Sequence, residues 1–178
     1  MSGISSDKSA RKRVGVVMGS NSDLDTMRET IKALKEFGLK FDVDVISCHR
    51  TPQLAHEYAA GAEKNGYEVI IAGAGSAAAL PGVLASLTTV PVIGVPVVNP
   101  PLGGTDALYS MVQMPAGVPV AVAGLGKAGA HNAAILAAEI LGIKDPALRQ
   151  KLEDYKKRLA EDVKKRSEEV KRELGAED

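Results

Sequence analysis

The chain has no tryptophan, two phenylalanines and four tyrosines among its 178 residues. So few aromatics argue against the base-stacking platforms that hold single-stranded nucleic acid. Lys+Arg and Asp+Glu balance at 22 each, which removes the positive field expected of a nucleic-acid or anionic-membrane binder. No apolar run is long enough to span a bilayer. A single cysteine, Cys48, permits neither an internal disulfide nor a cysteine-rich metal site. The three histidines, His49, His56 and His131, show no ligand spacing to one another, so no metal is expected. The opening "MSGISSDKSARKR" is polar and basic and lacks the apolar segment of a secretory signal. Residues 1–13 are read as a disordered leader, with the cytoplasm as the default location.

Glycine and short apolar runs are plentiful. Hydrophobic residues make up 45% of the chain and there are 18 glycines, the composition of an α/β protein with many tight strand–loop–helix junctions. One domain is expected over 14–144. Its strand candidates are 14–18, 41–46, 68–73, 90–97 and 118–124. Helical patterns follow them: Leu24, Met27, Ile31 and Leu34 up to a cap at Gly38; a helix from Thr51-Pro52 to about Asn65; then 80–88, 105–114 and 129–141. "FDVDVI" alternates apolar with acidic residues, so its strand should have one less covered face. The alternation of strand and helix predicts a parallel five-stranded sheet with helices on both faces. Asp145-Pro146 opens a highly charged helix to about Leu174, with a thin apolar stripe through Leu148, Leu152, Tyr155, Leu159 and Val163. Segment 145–178 is expected to pack on a neighbouring subunit.

Ligands of open parallel sheets bind outside the carboxyl ends of the strands. That rule selects five loops: "GSNSD" (19–23), "SCHRTP" (47–52), "GAGSAAALPG" (73–82), "VVNPPLGG" (97–104) and "GLGKAG" (124–129). The first opens a helix whose unpaired N–H groups suit a phosphate. Capping by Ser22 or Asp23 would explain one of its polar residues, whereas Ser20, Ser22 and Asp23 together exceed that need. "GLGKAG" fits the dinucleotide fingerprint, but the expected acidic residue after a following strand is missing. Close packing, or a smaller ligand, explains its glycines better. Cys48 reads as a small buried hydrophobe rather than a nucleophile, and His56 and His131 as ordinary helix residues. His49 and Arg50 differ. A guanidinium matches phosphate or carboxylate, and an imidazole can give and take a proton. Together they suggest an anionic substrate whose reaction moves a proton, against the alternative of a capping or core role for His49.

The ordered motifs "MGSNSD", "SCHRTP", "AGAG…ALPG", "VIGVPV", "YSMVQMPAGVPVA" and "GKAG…NAAILAAEIL", from Val14 to Leu141, resemble the class I N5-carboxyaminoimidazole ribonucleotide mutases of de novo purine biosynthesis. The resemblance implies a flavodoxin-like three-layer α/β/α sandwich, homo-octameric assembly with sites at subunit interfaces, and no metal or organic cofactor. It implies a carboxylate shift from an exocyclic nitrogen to ring carbon 4, with His49 as acid and base. Ser20, Ser22, Asp23 and Arg50 would bind the small-molecule ribonucleotide, and Gly75 and Ser76 would line a carbon dioxide pocket. The chain departs from the family's "GGAAHLPG" at Ser76 and Ala79, the latter in place of a histidine, and has Cys48 where alanine is usual. Two other readings remain open: a weakened relative that binds a phosphorylated nucleotide, and a carboxylase or decarboxylase acting on another heterocycle.

Overall fold

The computed structural model describes residues 13–175, so the leader expected over residues 1–13 lies almost wholly outside the described residues. Five strands form one parallel sheet: β1 (Val14–Met18), β2 (Phe41–Val45), β3 (Val69–Ala74), β4 (Val92–Pro96) and β5 (Ala121–Val122), in the order β2-β1-β3-β4-β5. β1, β3 and β4 are buried along their whole length, as strands covered on both faces must be, and their sequences are continuous apolar runs. β2 is an edge strand; Val43 and Val45 are exposed and two aspartates interrupt its apolar residues. Charges on an edge discourage pairing with another sheet.

The chain moves outward from β1 to β2, returns past β1 to β3, and then continues outward. Right-handed crossovers therefore place α1 (Leu24–Glu36) on one face of the sheet and α2 (Pro52–Ala60), α3 (Leu80–Ala85) and α4 (Thr105–Val112) on the other. On the second face Ala55, Ala59, Leu80, Leu84, Ala107 and Met111 join one buried cluster with Ile70, Ala72 and Val92. On the first, the hydroxyl of fully buried Thr30 in α1 donates to the Ala130 carbonyl of α5 (Gly126–Gly142) at 2.7 Å. α1 closes as expected around Gly38, with Gly38 N–H donating to Lys35 O and Leu39 N–H to Leu34 O.

Two expectations need correction. Segment 118–124 contributes only a two-residue, poorly covered edge strand instead of a buried one. Pro119 has no N–H to donate, and only Ala121 and Val122 pair with Ile93 and Gly94. α5 begins at Gly126, not 129, because the glycine-rich stretch is already helical. A side chain at Gly129 would run into the Gly124 carbonyl, so these glycines let the helix start against the preceding loop.

The chain divides into compact units between Ile140 and Leu141. The second contains α6 (Pro146–Glu173), whose Asp145 side chain caps the Leu148 N–H at 3.1 Å. Along its stripe Leu148 and Leu152 are buried, while Leu159 and Val163 are exposed.

Candidate active site

The order of strands reverses between β1 and β3, which opens a crevice at their carboxyl ends. Gly19 N–H donates to Gly73 O at 3.0 Å, so the chain leaves the sheet there. Ser20 then adopts an extended conformation and caps the single 3-10 turn Asn21–Asp23 ahead of α1. Its Oγ accepts from Ser22 N–H at 3.3 Å, and Asp23 Oδ2 accepts from Ser20 N–H at 3.1 Å. Ser20 thus caps this turn, while Asp23 stands at the N-cap position of α1 without a side-chain bond to it. Asp23 is 3% exposed and also accepts from the Ser22 hydroxyl at 3.4 Å. Burial pushes its carboxyl above the usual range, against the pull of these hydrogen bonds.

After β2, Ile46 N–H donates to Met18 O at 2.9 Å, which sets the next loop beside the first. Arg50 and Thr51 both turn back on the Ser47 carbonyl, at 3.2 and 2.7 Å. Thr51 stands at the N-cap of α2 with Pro52 as its first residue, but the Thr51 hydroxyl donates to Ser47 O at 2.8 Å, so no side chain caps the helix. α2 ends at Ala60, short of the expected Asn65. Arg50 Nε donates to Ser47 Oγ at 3.1 Å and Nη2 to Gly19 O at 3.2 Å. His49 is exposed on this turn. Cys48 packs half-buried against the core, and burial pushes its thiol up, as befits a small hydrophobe.

The loop after β3 carries the strain. Ser76 (φ 55°) and Ala78 (φ 25°) sit at positive φ without being glycines, a cost usually met at binding sites. Ala78 N–H closes the turn on Gly75 O at 3.1 Å, while the N–H groups of Ser76 and Ala77 have no acceptor among the described residues. Neighbouring Val97 N–H bonds Ala74 O at 2.9 Å and leads to Asn99.

These loops enclose a cavity of about 360 Å³, which Ser20, Ser22, Asp23, His49, Arg50, Gly75 and Ser76 all line. That volume suits a small molecule. Every residue singled out from sequence for the site is therefore in one place. The fifth loop selected, 124–129, does not line the cavity; its Lys127 instead pairs with Asp25 at 2.9 Å. Asn99, Ser47 and Ala79 also line it. Asn99 went unremarked in the sequence, although its loop was chosen; a carboxamide just past a strand's carboxyl end was the available signal. Among the described residues no group of three His, Cys, Asp or Glu side chains could hold a metal ion. The site thus has a guanidinium at one end, an exposed imidazole, and a small-residue wall with open N–H groups at the other end.

Comparison with known proteins matches residues 13–162 to the family model described as AIR carboxylase. An N5-carboxyaminoimidazole ribonucleotide mutase from Pyrococcus horikoshii is 52% identical over 166 residues, 92% of this chain and 93% of that protein. The Escherichia coli K12 protein of the same name is 51% identical over 151 residues, covering 85% and 89%. A crystal structure of Treponema denticola PurE superimposes with a TM-score of 0.80 at 26% identity, covering 90% of this chain and 99% of that one.

Proposed function

The chain belongs to the AIR carboxylase family, and from that premise we propose that its cavity converts N5-carboxyaminoimidazole ribonucleotide to the isomer carboxylated at ring carbon 4, an isomerase step of purine biosynthesis. The observation that carries the reading is that His49 shares one cavity with the Ser20–Asp23 loop, Arg50 and the Gly75–Ala79 wall.

The phosphate lies against Ser20, Ser22 and the Arg50 guanidinium, where a cation meets it and the serine hydroxyls, which bond Asn21 and Asp23 within the loop, turn to donate to it. Asp23 is committed to shaping that loop, so its carboxylate acts mainly by presenting the two serines. The heterocycle then reaches past His49 toward Gly75 and Ser76. His49, protonated, gives its proton to the carbamate nitrogen as the C–N bond breaks, releasing carbon dioxide and the aminoimidazole. Carbon 4 attacks the carbon dioxide retained at the wall. The imidazole, now neutral, takes the proton from carbon 4 and restores aromaticity. One proton enters at nitrogen and one leaves from carbon, so the cycle closes without external acid or base. Small side chains at Ala74, Gly75, Ala78 and Ala79 leave room for carbon dioxide and limit competing water.

The reading includes a cytoplasmic homo-octamer. The exposed part of the stripe on α6, Leu159 and Val163, is a surface that a neighbouring subunit would cover.

The test is to supply substrate bearing a labelled carboxylate, without ATP, in unlabelled bicarbonate. The mutase reading expects product that retains the label. Product formed only from solution bicarbonate, or none, would refute it.

A further inference from the structure

We propose that the Asn99 carboxamide is a specificity-determining contact for the migrating carboxylate; this rests on the mutase reading above. The four loops lining the cavity follow the strand order, so Asn99, after β4, stands at the end of the row farthest from Arg50, after β2. That end holds no lysine or arginine: the wall beside Asn99 is Gly75, Ser76, Ala78, Ala79 and Leu80.

The backbone that carries the amide is held in place. Asn99 O accepts from Gly103 N–H at 3.0 Å, and the root of its loop is tied to β3 by Val97 N–H. Its side chain lies directly on Gly75. A Cβ added there would coincide with Asn99 Nδ2 and come within 3.1 Å of Cγ. Gly75 is therefore a glycine because the carboxamide occupies the space its side chain would take. Yet among the described residues nothing hydrogen-bonds that carboxamide. A half-buried Asn with two N–H donors and a carbonyl acceptor, packed over Gly75 and unpartnered on a cavity wall, is set to receive a ligand group.

The chemistry favours a neutral donor here. The migrating group is an anion as carbamate, uncharged as carbon dioxide, and an anion again as product. A fixed cation would stabilise the two charged ends more than the uncharged middle and so deepen the wells on either side of the barrier. An amide N–H helps orient the carboxylate without that penalty, and the amide carbonyl can accept from the exocyclic amine once the carboxylate has left it.

The experiment measures dissociation constants for the carboxylated substrate analogue and the uncarboxylated aminoimidazole ribonucleotide in wild type, Asn99→Ala and the isosteric Asn99→Asp. Asn99→Ala should weaken the carboxylated ligand roughly 10- to 100-fold while changing the uncarboxylated one by less than about threefold. Asn99→Asp, which keeps the shape over Gly75 but adds like charge, should weaken the carboxylated ligand further. Equal losses for both ligands in both variants, or an unchanged ratio, would overturn the proposal while leaving the mutase reading intact if wild type turns over. Wild type that binds neither ligand would overturn both.

Discussion

Arg50 Nη2 donates to the carbonyl of Gly19 at 3.2 Å, joining the loop after β2 to the loop after β1. The same guanidinium bonds Ser47 through Nε. One side chain thus ties together the two loops that carry His49 and the serines, and Arg50 also lines the cavity. Lysine keeps the charge but cannot make both internal bonds and also present a fork. Arg50→Lys should therefore lower kcat/KM by roughly 10- to 100-fold, the loss expected of a charged hydrogen-bonding pair. Steady-state kinetics checks this; a change under about threefold would show that only charge matters.

Asp23 predicts a pH dependence of unusual sign. Burial raises its folded-state pKa above the unfolded one, so folding favours its protonated form. Its contribution to stability is present below the unfolded pKa and is lost as pH rises through the folded one. The stability of wild type minus that of Asp23→Asn should accordingly grow as pH falls from 7 toward 4. Urea titrations of both proteins across that range test it, and a difference that shrinks on acidification would contradict it.

Much of this site was legible because its chemistry lies in sequence-local loops. Ser20 and Ser22 follow a continuous apolar run that reads as a buried strand, and His49 and Arg50 follow the alternating pattern of an edge strand. The edge at which they gather follows from the parallel topology. What escaped depended on contacts between distant segments. Asn99 gains meaning from Gly75, and nothing in either loop alone shows that one fills the other's side-chain space. The division of labour in "GSNSD" was hidden for a similar reason. Which residue caps depends on the extended backbone of Ser20, which composition does not report. β5 was overestimated because its apolar pattern continues past the few residues that β4 can pair.

The buried hydrogen bond from Thr30 to Ala130 O separates scaffold from site, since neither residue lines the cavity. Thr30→Val keeps the shape and removes the donor. It should cost about 1 kcal/mol of unfolding free energy with kcat unchanged. Denaturant melting alongside an activity assay checks both halves, and full stability in the variant would mean the bond contributes nothing net.

The central claim is that a single imidazole carries the proton in both directions. His49→Asn keeps a polar side chain of similar reach but cannot shuttle a proton at neutral pH. Single-turnover conversion of bound N5-carboxyaminoimidazole ribonucleotide, followed by the absorbance of the carbon-carboxylated product, is the most direct measurement. The account predicts a rate lower by about 10²- to 10⁴-fold with the dissociation constant nearly unchanged. A rate within tenfold of wild type would contradict it.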